Sequence, residues 1–361
     1  MKKLFLLAVI FATGCGRDQA IDQDSTVSAS AGPHACWTDN TQRDKASLEK
    51  VYAAFDRMLS AERGVAAVDC AGIRAYLVGT AVRLPLSGLS FTNDQMRDAF
   101  LDLNDRMTNN ETVVTAVDMS HNQLVNFDPA TLSPVARNGL AYLNISHNAY
   151  SNNLDAIVVN LTKSALQYLI ADHNKISGDL LGSFTDKLTN LEYLDVSANP
   201  IGDVTFADYF PKLVYLDISR PEPSTTPPYF TISPVGQALP NLMHLGVANR
   251  QLAYPDKYLT KIGRLGSLDA RNVVNSSNKS ITASASMSDT RGSSLPLNIT
   301  LPDQTWRTDC TGTAKCSITG RMPTGGCDSY RKLLELKPSV PAERTAAFAK
   351  ALEPYLPFCG A

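Results

Sequence analysis

One short phrase recurs between Val114 and Ala270, and it constrains the fold more than any other feature of the chain. Its pattern is apolar, two others, apolar, one other, apolar. It reads V-V-T-A-V-D-M-S-H-N over Val113–Asn122 and L-A-Y-L-N-I-S-H-N over Leu140–Asn148. It returns as L-Q-Y-L-I-A-D-H-N over Leu166–Asn174 and L-E-Y-L-D-V-S-A-N over Leu191–Asn199. Fainter copies begin at Leu213, Leu242 and Leu265. The starts at 114, 140, 166, 191, 213, 242 and 265 lie 26, 26, 25, 22, 29 and 23 residues apart. A unit of this size holds one short strand and cannot bury its own apolar face, so the units must stack.

Alternation along each strand sorts the phrase into columns. Val117, Leu143, Leu169, Leu194, Leu216, Leu245 and Leu268 form one inward column. Met119, Ile145, Ala171, Val196, Ile218, Val247 and Ala270 form the next. Asn122, Asn148, Asn174 and Asn199 make a ladder whose amides can satisfy the backbone where each strand ends. Pro221, Arg250 and Val273 stand at that place in later units, with Asn249 and Asn272 one residue early. A disturbed ladder is expected there, with an irregular loop over the Pro-rich stretch Pro221–Pro234.

The phrase L-x-x-L-x-L-x-x-N resembles the leucine-rich repeat family over roughly Ala81–Asn272. The resemblance implies an α/β fold, a right-handed solenoid with a curved parallel β-sheet whose concave face is the usual binding surface. The residues between the inward columns then face that surface. One column holds Ala116, Tyr142, Tyr168, Tyr193, Tyr215, His244 and Ser267. The next holds Asp118, Asn144, Ile170, Asp195, Asp217, Gly246 and Asp269, and the third includes Ser120, Ser146, Asp172, Ser197 and Ser219. The expected binding residues are Tyr142, Tyr168, Tyr193, Tyr215, His244, Asp118, Asn144, Asp172, Asp195 and Asp217. At a strand spacing of about 4.8 Å, the four tyrosines span roughly 15 Å. Tyrosine anchors interfaces because it offers area at little rotamer entropy. The same residues also suit any strand, and Y-L-D-x-S is close to what family members carry.

The ends of the chain are of a different kind. Lys2 and Lys3, then apolar Leu4–Phe11 and small Ala12-Thr13-Gly14, form a secretory signal at residues 1–14, too short to span a membrane. Cys15 directly after it resembles the lipobox cysteine of bacterial lipoproteins, with Ala12 where leucine is commonest. That resemblance implies lipidation at Cys15, and Gly16 fits the outer-membrane sorting pattern of Gram-negative cells. Residues 15–35 read as a flexible tether. Residues 36–113 read as a helical cap ending in a degenerate first repeat. One helix runs over Thr41–Ala61 and a second from Cys70 to Leu77. A strand follows at Val82–Leu89, and the capping box Thr92–Gln95 opens a third helix. The repeats occupy 114–290, with one more strand over Leu295–Leu301, and a Cys-rich cap fills 291–361.

Six further cysteines, Cys36, Cys70, Cys310, Cys316, Cys327 and Cys359, bracket the array. An even set in an exported chain reads as disulfides bracing both caps. Cys310 and Cys316 are close enough to pair across a hairpin. Cys327 and Cys359 would meet in an antiparallel helix pair, which leaves Cys36 with Cys70. Trp37 and Trp306 plug the exposed core ends.

Function classes can be excluded as well as proposed. A net charge of −2 with no long basic run argues against nucleic acid. No nucleophile elbow, zinc-protease helix, P-loop or dinucleotide fingerprint is present, so no enzyme and no cofactor is expected. Asp195 and Asp217 are neighbouring carboxylates, but an open face neither excludes water nor shifts a pKa as a cleft does. His121, His147 and His173 form a column of imidazoles. Rings in a line suit a tetrahedral ion poorly, so no metal is expected either. The reading is a lipid-anchored protein of the bacterial outer membrane or cell surface that recognises a protein partner or adheres. Its alternatives are a structural envelope component without a ligand and a carbohydrate-binding or hydrolytic protein.

Overall fold

The structure is a computed structural model. It describes residues 44–79, 81–107, 112–126, 139–154, 157, 165–180, 188–206, 210–232, 239–252 and 267–274, with the strand backbones at 297–300, 305–310 and 316–317. The signal segment, Cys15, the tether, Cys36, Trp37, Cys327, Cys359 and the expected C-terminal helices lie outside the described residues.

The elements in chain order are α1 (Lys45–Arg63), α2 (Cys70–Leu77), β1 (Val82–Pro85), α3 (Asn93–Arg106) and β2 (Val114–Asp118). Then come β3 (Tyr142–Asn144), β4 (Tyr168–Ile170), β5 (Gly178–Leu180), β6 (Tyr193–Asp195) and β7 (Ile201–Phe206). β8 (Tyr215–Asp217), β9 (Tyr229–Ile232), β10 (His244–Gly246), β11 (Gln251–Leu252) and β12 (Ser267–Asp269) follow. The last are β13 (Leu297–Thr300), β14 (Thr305–Cys310) and β15 (Cys316–Ser317).

The main sheet runs β1-β2-β3-β4-β6-β8-β10-β12-β13-β14-β15, and it is parallel from β1 to β13. Its register matches like with like across units. Leu143 pairs with Leu169, Leu169 with Leu194, and Leu194 with Leu216. Both inward columns are buried in one continuous core. Each fully buried leucine contributes about 1.5–3 kcal/mol of hydrophobic stabilisation, and only because the next unit supplies its neighbour. The strand expected near Leu295–Leu301 is β13, parallel to β12, and the direction reverses at β14. The β14–β15 register sets Cys310 opposite Cys316.

A second sheet, β11-β9-β7-β5, was not anticipated from the sequence. Its strands follow the repeat phrases and bury Leu180, Ile201, Val204, Phe230 and Leu252 on the far side of the core. The architecture is therefore a parallel β-solenoid with strands on both sides in the units from β5 to β11. Part of the Pro-rich stretch, expected as loop, is strand β9. It pairs with β7 because Tyr229 N–H donates to Asp203 Oδ1 and Phe230 fills the core.

The N-terminal helices close the open end of the core. Asp44 caps α1, Asp69 caps α2, and Thr92 with Gln95 forms the capping box of α3. A buried polar knot ties α1 to α3. Tyr52 Oη donates to Asp102 Oδ2 at 2.7 Å, and Arg106 Nε donates to the same oxygen at 2.6 Å. Burial, and then the Asp102 charge, push the Tyr52 hydroxyl far above its usual range. Cys70, at the start of α2, is disulfide-bonded.

Candidate functional site

The tyrosine column lies on the face of the main sheet turned away from the core, as alternation requires, and the structure divides it. Tyr142 and Tyr168 are half-buried, with ring centroids 6.2 Å apart and planes tilted by 44°. Tyr193 and Tyr215 stack at 4.2 Å and 5°, and Tyr215 stacks on His244 at 4.5 Å and 15°. Those three are 1%, 0% and 4% exposed, yet Tyr193 and Tyr215 stand apart from the core cluster between the sheets. Stacking hides the ring faces, and the two hydroxyls are buried as well. The open part of the column is therefore the Tyr142–Tyr168 end, beside half-buried Ala116 and Asp118.

The second column proves to hold the strand ends in place. Asp118 Oδ1 accepts from Ser120 N–H at 3.0 Å and from the Ser120 hydroxyl at 2.6 Å. Asp195 Oδ1 does the same for Ser197, at 3.0 and 2.6 Å. Asn144 accepts from Ser146 N–H and Asp217 from Ser219 N–H. These are side chain-to-backbone bonds two residues on, as acidic and amide side chains make in turns. Asp195 and Asn144 are buried, so their carboxylate and amide serve the backbone. Gly246 keeps the next place in this column open, since a Cβ there would lie 2.3 Å from Asp217 Oδ1.

The ladder forms as expected over Asn122, Asn148, Asn174 and Asn199. In each case Nδ2 donates to two carbonyls of its own turn and one of the preceding unit. For Asn174 these are Ala171, Asp172 and Ile145, at 3.1, 3.1 and 2.9 Å. Each Oδ1 accepts a backbone N–H from the preceding unit: Phe91, Leu124, Tyr150 and Ile176 in turn. Beyond Asn199 the ladder changes its residue. Arg250, 1% exposed, donates through Nε to Ile218 O at 2.6 Å and through a terminal nitrogen to Gly202 O at 2.7 Å. Burial pulls its guanidinium down to about 9; Arg220 pushes the same way, and Asp217 and Asp203 oppose.

The residue before the ladder position has left-handed backbone in six of the seven units, Arg220 before Pro221 being the exception. His121, His147, His173, Ala198, Asn249 and Asn272 have φ of 53, 51, 50, 54, 62 and 53°. Asn249 and Asn272 are thus not displaced ladder residues. They take the left-handed place that asparagine tolerates well, and Asn249 Nδ2 donates to Arg220 O. The three imidazoles stack, His121 on His147 and His147 on His173, both at 4.3 Å. Asp172, expected on the open face, is buried and lies beside them. Its Oδ2 is 2.7 Å from His173 Nδ1 and 4.0 Å from His147 Nε2.

Sequence reasoning missed Arg250 and the pairing of Asp172 with histidine. For Arg250 the one signal is a long cation at a place otherwise reserved for an inward amide. For Asp172 it is the third phrase itself, where D-x-S becomes I-x-D.

A repeat array, a ladder of buried strand-end side chains and a core shared between units define this chain as a parallel β-solenoid. No protein-family model matches it, and no curated protein does. Among solved structures it is similar to an internalin C2 from Listeria monocytogenes, with 16% identity and a TM-score of 0.42 over 71% of this chain and 96% of that one. It is also similar to the functional domain of InlJ from Listeria monocytogenes, which includes a cysteine ladder. There the identity is 15% and the TM-score 0.33, over 63% and 56% of the two chains. The Arabidopsis receptor kinase HAESA, in complex with the peptide hormone IDA and the co-receptor SERK1, matches at 19% identity and a TM-score of 0.34. That match covers 46% of this chain and 26% of the receptor.

Proposed function

We propose that this chain is a lipid-anchored envelope protein that recognises a protein partner through the Tyr142–Tyr168 end of its main sheet. The observation that carries the reading is the division of the tyrosine column. Two half-buried rings stand on strands locked in register, beside half-buried Asp118, while Tyr193, Tyr215 and His244 are buried. Preordered aromatic area costs little to bind, because the solenoid has already fixed the backbone and the neighbouring side chains. Cys15 carries the lipid, disulfides including Cys310–Cys316 brace the ends, and the protein acts by binding, without catalysis.

The test is crosslinking and capture from intact cells that express the protein. Tyr142→Ala and Tyr168→Ala each weaken the captured complex by about 1 kcal/mol or more, a fivefold or greater loss. A partner captured equally well by the double variant would sink the assignment of the face. In the same fractionated cells, Cys15→Ala moves the protein to the soluble fraction, and retention on the membrane counts against the anchor.

A further inference from the structure

We propose that His147, Asp172 and His173 form a binding site for a divalent transition-metal ion of the imidazole-preferring kind, represented by Zn2+. Nothing in the protein-recognition reading requires such a site, and the two stand independently.

The argument starts from the column that holds Asp172. Its neighbours in the stack, Ser146 and Ser197, are serines. In the units with D-x-S the acid caps the strand end and the serine answers it. In the third unit the acid position is Ile170, and the carboxylate stands two residues later, at the serine place. Asp172 is thus released from strand capping, and its Oδ2 meets the histidine column instead.

The two histidines are positioned by backbone. Both sit in left-handed conformation, at φ 51 and 50°, so their side chains leave the turn in the same direction. His147 N–H donates to Asp172 O at 3.0 Å, and His173 N–H donates to Ser197 O at 3.1 Å. The rings lie 4.3 Å apart at 12°. A line of imidazoles alone offers a metal no point of convergence, and the carboxylate supplies one. His147 presents Nε2 to Asp172 Oδ2 at 4.0 Å and His173 presents Nδ1 at 2.7 Å; the three ligand atoms lie within 4.8 Å of one another. Two donors on one tetrahedral zinc ion, each about 2.1 Å from it, are about 3.4 Å apart. The two Asp172 contacts bracket that value, and with all three atoms within 4.8 Å the donors close on the ion by rotation of the imidazoles. An ion on His173 Nδ1 requires the neutral tautomer with its single proton on Nε2, so the contact between Nδ1 and Asp172 Oδ2 gives way to the ion and any further proton held between them is released to solvent.

The ligand set of two imidazoles and one carboxylate suits zinc and its borderline neighbours, not calcium or magnesium. Asp172 is fully buried, while His147 and His173 are 26% and 45% exposed at the side chain. The ligand atom of His147, Nε2, is itself buried, so an ion would reach the site from the side of the more exposed His173. His121 is an internal control. It stacks on His147 from the other side, but the residue between that pair is Ser146, not an acid.

The test is calorimetric titration of Zn2+ into the untagged chain carrying Cys15→Ser, with its six other cysteines oxidised. One ion per chain is expected. His147→Asn and His173→Asn, chosen because asparagine tolerates left-handed backbone, each weaken binding about tenfold or more. Asp172→Ser, which restores the serine of the neighbouring units and so is compatible with the fold, does the same. His121→Asn stays within about twofold of the parent. Co2+ bound at the site shows no thiolate charge-transfer band. Absence of binding, full binding by the His147→Asn/His173→Asn double variant, or a thiolate signature with Co2+ overturns the proposal.

Discussion

In the unit that ends at Asn174, the strand-end carbonyls are met by an amide; in the unit that ends at Arg250, they are met by a guanidinium. The amide is neutral and both donates and accepts, so it closes its own turn and receives Tyr150 N–H from the unit before. The guanidinium only donates. It reaches further, to Gly202 O in β7, and it brings a buried charge that Asp217 and Asp203 offset only in part. The face of the sheet changes along the same axis. Tyr142 and Tyr168 are tilted and half-buried, whereas Tyr193, Tyr215 and His244 are stacked and interior. One backbone plan thus supports a half-open surface at one end and buried, stacked rings at the other.

The most severe test of that division is Tyr215→Ala against Tyr168→Ala. Removing a fully buried, stacked ring costs about 4 kcal/mol of stability, while removing a half-buried one costs about 1 kcal/mol. Urea denaturation measures both, and equal losses would mean that the column is not divided. The next is Arg250→Ala, which strips charge-assisted bonds from two buried carbonyls and costs about 3 kcal/mol. Arg250→Asn should lose about 1 kcal/mol less, because an amide reaches Ile218 O as the ladder residues reach their carbonyls. If asparagine is as damaging as alanine, the guanidinium is held by its charge environment and not by the ladder. The smallest effect concerns the left-handed position. Ala198→Asn should raise stability by about 0.5 kcal/mol, since alanine is strained at φ 54° and asparagine is not. His147→Asn should be close to neutral, because histidine also tolerates that backbone.

Much of this was legible from residue order. Apolar spacing placed the two inward columns, the asparagines placed the ladder, and Thr92 with Gln95 placed the start of α3. The second sheet was not legible, because Ile201–Phe206 and Tyr229–Ile232 follow the phrase at varying distance and carry no repeated pattern. The tyrosine column was placed on its strands but not divided, since Y-L is the same dipeptide at Tyr168 and Tyr193 and only packing separates them. The acids were assigned to the open face because D-x-S says nothing about which group the carboxylate meets. Asp172 was set among them for the same reason.

The sequence alone determined the stack: a period in the twenties with three apolar beats cannot be buried except by its own repetition, and an amide at each strand end has few other roles. Tertiary structure alone decided which faces remain half-open, that Arg250 continues the ladder, and that Asp172 turns toward two histidines. Those outcomes depend on distances between residues about 25 positions apart. Such distances exist only once neighbouring units have set their register.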